Sequence, residues 1–561
     1  MTLSIRAIAN ADDCLVVWHG PTLPGCLGFQ LERESTHGGS PTIAVLDNRL
    51  GWAGDPSQPF EHQPSSRWPF RRYAWTDFQA PLDSSLRYRV TPVFDKAGRN
   101  FVDTAHQSPW SNAVTQSGDA GDCAVYFNRG VALSQFMARE LKGDYSPAAL
   151  RAFKDSLADT ENRLRKFLGG DILRELLSLL DAAISDTKSE LYAALYELTD
   201  EQLIGKLEAL GARAHVVLSN GSSKSAPDDE NESARERLKA AGVEVHDRML
   251  YSKGLGHNKF VVVTEAGVPI KVWTGSANLM RTGLCTQMNN ALIVNDAAVA
   301  EAYLAQWQLL RDAGSDVPAT LKQANSVAKN PSANKELWFT ATSHREDLDR
   351  VAEIVGEAKQ SVQFLMFMPG TNGVLQSLLA LRQAKPTLFF YGVVNSLTQS
   401  GRNGTVELLS GDELKRFPYS VIEPEGIRDS LTSWAAEITR RDFVGNQQNP
   451  NIGHAIVHSK VIVVDAFTDH PIVISGSHNF SDSASRKNDE NLIVIRDNQA
   501  LAQKYVVNIV SVYEHYRWRQ FVNSRVAAGQ PVGDAQPRDD AWQARKQNDA
   551  RQIALWKLMG L

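Results

Sequence analysis

The segment His257-Asn-Lys-Phe-Val-Val-Val-Thr264 returns 201 residues later (458 − 257) as His458-Ser-Lys-Val-Ile-Val-Val-Asp465. Eighteen residues after each histidine comes a Gly-Ser pair, in Gly275-Ser276-Ala277-Asn278 and Gly476-Ser477-His478-Asn479. The stretches between, VVVTEAGVPIKVWT and VVDAFTDHPIVIS, run apolar, polar, apolar, which is the pattern of a hairpin. Two motifs with equal internal spacing require two similarly folded halves, an internal repeat of about 200 residues.

The flanking sequence repeats too. CAVYF (123–127) matches ELWFT (336–340), and the junction TKSELYAAL (187–195) matches AKQSVQFLM (358–366). In the first half, DILRELLSLLDAAISDTK reads as a helix, AHVVL as a strand and SARERLKAAG as a helix. In the second, REDLDRVAEIVGEAKQS and VLQSLLALRQA read as helices and TLFFYGVV as a strand. This alternation predicts α/β layering. A charged insertion at roughly 132–166 reads as helical. Residues before 117 have another grammar: CLVVW, GFQLER and LRYRVTPVF are short alternating runs between Pro, Gly and Ser clusters, as in a small β-sandwich. The expected division is 1–116 for the sandwich, 117–330 and 331–530 for the repeats, and 531–561 for a tail with a capping helix.

With 561 residues, 43% apolar and 22% charged, the chain has globular composition. A net charge of −5 gives no global field for holding nucleic acid, although a local basic cleft stays open. Cys14, Cys26, Cys123 and Cys285 are scattered, so neither a zinc site nor a disulfide framework is indicated. MTLSIRAIANADDC has no signal-peptide pattern, and no apolar run reaches the length of a membrane span. A cytoplasmic location is expected, with signal-independent export left open.

On a strand, residues two apart share a face, so His257 sits beside Lys259 and His458 beside Lys460. A hairpin would bring Ser276 and Asn278, or Ser477 and Asn479, next to them. Imidazole, ammonium, hydroxyl and carboxamide together suit a phosphodiester: cations and donors neutralise charge on its oxygens, and imidazole attacks or passes a proton.

These residues resemble the phospholipase D superfamily, whose signature is H-x-K-x4-D followed by G-S-x-N, present twice. The second copy carries it in full as His458, Lys460, Asp465, Gly476, Ser477 and Asn479, followed by Glu490. The first carries His257, Lys259, Gly275, Ser276 and Asn278, with Thr264 in place of Asp. The resemblance spans roughly 120–525. It implies two phospholipase D-like α/β/α repeats about a pseudo-twofold axis, behind a sandwich similar to fibronectin type III through Tyr88 in LRYRV. It also implies a phosphohistidine intermediate, no metal or other cofactor, and a monomer, since both motifs lie in one chain.

Asp465, an odd seven residues after His458, should face away from the phosphate and buttress the strand. Aligning QMNNALIV with KNDENLIV pairs Asn290 with Glu490. In the family that Glu bonds the ring of its own His. On this reading Glu490 supports His458, raising its pKa and making it the proton carrier, and Asn290 leaves His257 neutral as nucleophile.

Other features carry less. RWPFRRYAW (67–75) reads as a solvated edge rather than a ligand surface, HYRWRQF (515–521) as a closing helix, and DDENE (228–232) as a solvated loop. Gly256 and Gly453 precede the motifs and would admit a close substrate approach. His454 shares the face of His458 if the strand extends that far. His478 faces either way. The expected function is a phosphodiesterase that hydrolyses or transfers the headgroup of a glycerophospholipid drawn from a membrane surface. The alternatives are a nuclease or DNA-adduct phosphodiesterase on the same site, because the tyrosyl-DNA phosphodiesterase branch also lacks acidic residues in its first motif, and a non-catalytic binding protein.

Overall fold

A computed structural model describes residues 2–53, 55, 61–132, 146–370, 372–395, 406–410, 416–419, 457–527 and 535–561. Strands with both faces apolar must be covered on both sides. That is the situation of Lys259–Glu265, buried until its last residue, and of Val461–Val464, buried throughout.

Each lies inside a mixed sheet. In spatial order the first sheet runs Asp119–Ala120, Cys123–Phe127, Asn290–Val294, Val268–Gly275, Lys259–Glu265, Ser189–Leu195, Ala214–Ser219 and Glu244–Arg248. The second runs Lys329–Ser332, Lys335–Phe339, Asn491–Arg496, Ile472–Gly476, Val461–Val464, Ser361–Met366, Phe389–Val394, Val406–Ser410 and Arg416–Tyr419. Seven successive strands agree in order and in direction. The sheets part company at the far edge. Glu244–Arg248 pairs parallel to its neighbour, whereas Val406–Ser410 pairs antiparallel and continues into a hairpin.

The glycine of each Gly-Ser has a packing reason. A Cβ on Gly275 would stand 2.3 Å from the Asn290 carbonyl oxygen, and one on Gly476 would stand 2.3 Å from that of Asn491. Both glycines take positive φ, 153° and 148°. The hairpin strand can therefore close on the strand that begins at Asn290 or Asn491.

Among the described residues of 4–115, a three-stranded and a five-stranded antiparallel sheet stand beside a two-stranded pair, Asp47–Asn48 with Gln63–Pro64, while Gly51–Trp52 pairs with Ala535–Gln536 of the tail. Trp18, Phe29, Tyr73 and Tyr88 are buried there, with Trp18 edge-on to Phe29 at 5.8 Å. The Tyr88 hydroxyl donates to the Asp77 carboxylate at 3.0 Å, a side chain rather than the backbone acceptor of a tyrosine corner. The tail returns to these strands. Helices Trp542–Gln547 and Ala550–Met559 seat two tryptophans, Trp542 donating to the Cys26 carbonyl at 3.0 Å and Trp556 to that of Trp18 at 2.7 Å. RWPFRRYAW is accordingly no solvated edge: Trp68, Phe70 and Tyr73 are buried, and Arg71 donates to the Pro537 carbonyl at 2.7 Å. One apolar cluster runs through the N-terminal sheets, both repeats and the tail, so the expected segments share a core. The four cysteines are free and buried. Among the described residues no helix is long and apolar enough to cross a membrane. Residues 133–145 of the first insertion and most of 396–452 lie outside the described residues, as do Gly453 and His454.

Candidate active site

His257 and His458 stand just before their strands begin, where the backbone leaves the sheet. Each lysine side chain folds back on its own histidine: Lys259 Nζ donates to the His257 carbonyl at 2.8 Å, Lys460 Nζ to that of His458 at 2.6 Å. An aromatic ring covers each pair. Tyr196 lies 4.7 Å from the His257 ring and 4.9 Å from Lys259 Nζ, and Phe367 lies 4.6 Å from His458 and 5.0 Å from Lys460 Nζ. Both histidines and both lysines are at most 4% exposed.

The imidazoles are held crosswise. His257 Nδ1 lies 2.7 Å from Glu490 Oε2, and His458 Nδ1 lies 2.9 Å from Asn289 Oδ1. The expected pairing of Glu490 with His458 is therefore wrong, and Asn290 is not the partner of His257. Asn290 Nδ2 instead donates to Ser475 Oγ and Tyr505 Oη, both at 3.0 Å. The error was one residue of register. Ser276 N bonds the Asn290 carbonyl as Ser477 N bonds that of Asn491, so the counterpart of Glu490 is Asn289. The constant offset gives the same answer, because 490 − 289 is again 201.

The two serines act on those partners rather than on the histidines. Ser276 Oγ donates to Asn289 Oδ1 at 2.7 Å and Ser477 Oγ to Glu490 Oε2 at 2.9 Å. Because Asn289 Nδ2 is spent on the Gly283 carbonyl at 2.7 Å, its oxygen faces the ring. His458 Nδ1 must therefore carry the proton, leaving Nε2 free. Asn278 and Asn479 each have a carboxamide oxygen without a hydrogen-bond partner. Asn278 Nδ2 is held by Glu197, a residue the sequence reading missed; the matching position beside Phe367 is Met368. Asp465 faces away and accepts three backbone N–H groups, from Lys359 at 2.8, Gln360 at 2.7 and Ser361 at 2.8 Å. His478 turns to Asp347, 2.9 Å away. The DDENE loop is not merely solvated: Asn231 is buried and bridges Leu198 N with the Tyr196 and Ser219 carbonyls, fixing the Tyr196 segment. Gly256 packs against Ser219, where a Cβ would come within 3.0 Å.

A further clamp closes the first crossing. Arg248 donates to Asp489 through Nε at 2.8 Å and Nη2 at 3.0 Å, both side chains about 1% exposed. Asp489 N bonds the Leu255 carbonyl at 2.8 Å. At the second crossing His458 N bonds the Met288 carbonyl at 3.0 Å, and Met288 holds the place of Asp489.

Burial sets the electrostatics. It pushes His257 down to about 4, with Glu490 opposing, and lowers His458 well below the ordinary range, with Lys460 and Lys259 adding repulsion. Lys259 is driven down to about 7 by burial, and Lys460 falls well below its usual value from burial and the nearby Lys259. Burial alone would raise Glu490, but His257 beside it keeps it below the usual carboxylate range. Glu197 is pushed up to about 7 by burial. An enclosed group of lysines and histidines with one ionised carboxylate is stabilised by an incoming anion, which restores the charged forms.

A protein-family model described as "Cardiolipin synthase, PLD-like domain" matches residues 180–310 and 390–511. No curated protein matches the chain in sequence. Among solved structures, phosphatidylserine synthase of Haemophilus influenzae is similar at 14% identity and a TM-score of 0.40, over 63% of this chain and 91% of that one. Nuc, a phospholipase D family member from Salmonella typhimurium, is similar at 20% identity and TM-score 0.21, over 26% and 91%. A mutant of yeast tyrosyl-DNA phosphodiesterase is similar at 9% identity and TM-score 0.31, over 57% and 87%.

Proposed function

The chain belongs to the phospholipase D superfamily, and on that premise we propose that it cleaves or transfers a phosphodiester of a glycerophospholipid through a phosphohistidine on His257. The observation that carries the reading is the crossed support of the two imidazoles, a carboxylate on His257 and a carboxamide on His458.

The halves meet about a pseudo-twofold axis, behind a fibronectin type III-like sandwich, so that both Nε2 atoms address one phosphorus. The substrate anion pairs with Lys259 and Lys460, offsetting the repulsion that keeps His458 neutral, and His458 takes up a proton. His257 Nε2 attacks phosphorus. The P–N bond forms as the P–O bond to the leaving alcohol breaks, and His458 gives its Nε2 proton to that alcohol. The phosphohistidine ring is cationic, and Glu490 at Nδ1 stabilises it, as a carboxylate stabilises a developing imidazolium. Water or a second alcohol then attacks, losing its proton to His458, and the P–N bond breaks. Asn289 needs only to fix the His458 tautomer. The nucleophile assigned from sequence is kept, but for the opposite reason: the carboxylate belongs to the histidine that becomes covalently charged.

A lipid substrate is supported by the net charge of −5 and by the description of the matching family. DNA cleavage remains the second reading because the first motif offers Asn289 and Thr264 where the second has acids. Incubation with phosphatidylcholine, with a phosphatidylethanolamine/cardiolipin mixture and with single-stranded DNA, all in EDTA, should release product from a lipid. Release from DNA alone favours the second reading, and folded protein that cleaves none of them defeats both. In samples quenched with SDS at alkaline pH, where the P–N bond survives, His458→Ala should accumulate phosphohistidine and His257→Ala should not; the reverse would exchange the roles.

A further inference from the structure

A cavity of about 430 Å³ lies outside the catalytic site, where the tail packs on the N-terminal sheets. Five cations line it, from three distant segments: Arg71 and Arg72, Arg517 of the helix Gln499–Ala527, and Arg545 and Lys546 of the tail helix. One carboxylate, Asp549, joins them. Glu514 lies 3.1 Å from Arg517, and Asp539 lies 2.6 Å from Arg71. Even with both of these counted, five cations face three carboxylates, and Asp549 is shared with Arg551 at 3.4 Å. At least two positive charges are left over, in a chain whose net charge is −5.

The cavity is built rather than incidental. The Arg71 side chain is 7% exposed, and its guanidinium is fixed by the Pro537 carbonyl and by Asp539, while its Nε is buried without a hydrogen-bond partner. Among the described residues neither Arg72 nor Lys546 makes an ion pair within 4.0 Å; Arg72 lies over Trp75, 5.4 Å from the ring centroid. Burial lowers Arg72, and burial together with Arg72 and Arg517 brings Lys546 down to about 8, the direction expected of cations gathered without their counter-ion. Trp542 and Phe70 supply apolar wall. A volume of this size suits a small molecule, and arginines in planar fork geometry suit phosphate oxygens.

We propose that this cavity is a second anion site that binds a phosphate monoester dianion, carried free or on a lipid headgroup. A dianion matches the surplus charge, whereas a diester, with one charge, would leave part of it uncompensated. The site lies between the N-terminal sheets and the tail, so it would give those segments a binding role separate from catalysis.

The test is isothermal titration of the full chain with pyrophosphate at low salt, beside the Arg72→Gln/Lys546→Gln double variant. Thermal melting establishes that the variant is folded, and Arg545→Gln, an exposed position, serves as a milder second variant. Wild-type protein should bind at two sites, the cavity and the catalytic pocket. The double variant should keep one site and weaken the other by about tenfold or more, and Arg545→Gln should weaken it by about two- to threefold. A wild-type isotherm in the double variant overturns the proposal, as does a single wild-type site that the double variant retains. Sedimentation with phosphatidate/phosphatidylcholine vesicles identifies the carrier. Binding to vesicles that the double variant loses supports a lipid-borne ligand, and pyrophosphate binding without sedimentation supports a free one.

Discussion

The two crossings at the centre of the molecule join sheets of like strand order and carry opposite chemistry. At the first, Asp489 and Glu490 of the second half reach Arg248 and His257 of the first. At the second, the same two positions are Met288 and Asn289, reaching back to His458 through a carbonyl and a carboxamide. One crossing is an ionic clamp and the other is neutral. Two sheets of like strand order form the frame, and the charge beside the two histidines differs, which is the asymmetry on which the proposed division of roles rests. Asp465 and Thr264 show the same division away from the site: the acid accepts three backbone N–H groups, while the threonine hydroxyl makes one long contact, 3.5 Å, to the Glu190 carbonyl.

Glu490 is where the two crossings differ most in charge. Glu490→Gln should lower kcat by roughly 10³-fold, since it removes the charge that balances the phosphohistidine, whereas Asn289→Ala should cost about tenfold. Steady-state rates on the cleaved substrate decide it, and equal losses would make the charge asymmetry irrelevant to catalysis. Arg248→Ala should destabilise the chain by about 3–5 kcal/mol by stranding buried Asp489, and Met288→Ala, on the neutral side, by about 2–3 kcal/mol. Urea unfolding compares the two.

Removing Asp465 as Asp465→Ala should cost about 2–3 kcal/mol and Thr264→Ala less than about 1 kcal/mol, again by urea unfolding. The smallest effect concerns pH. Lys259 is lowered from 10.5 to about 7, so its contribution to stability is complete above pH 10.5 and is lost as the pH falls to about 7. His257 is lowered from 6.5 to about 4, so its contribution is lost between those values. The empty protein should therefore weaken on acidification. Orthovanadate, which places an anion among these cations, should raise Tm by about 3–5 °C at pH 6 and by less at pH 9. A shift independent of pH would mean that Lys259 keeps its charge throughout.

Much of the frame was legible. Equal spacing located both hairpins, and the matched junctions at 187–195 and 358–366 are the same strand in the two sheets. Asp465 buttresses as expected, but from just beyond the end of Val461–Val464 at positive φ rather than by alternation along one continuous strand. The crossed pairing was not legible from pattern alone, because a hydrogen bond between residues 233 apart depends on how the halves dock. The offset of 201 does pair Glu490 with Asn289, so that part of the pairing is written in the sequence. Glu197 and Arg248 had no motif to announce them. RWPFRRYAW was misread because its partner, the tail, lies 466 residues away at the Arg71–Pro537 contact.

Apolar alternation, glycine placement and motif spacing are local properties, and they alone determined the hairpins, the two sheets of like strand order and the paired His-Lys groups. Docking decided the rest. Which histidine receives the carboxylate, and where five cations from three segments converge, depends on surfaces joined across hundreds of residues. Burial then gives those contacts their electrostatic weight, and no local pattern records it.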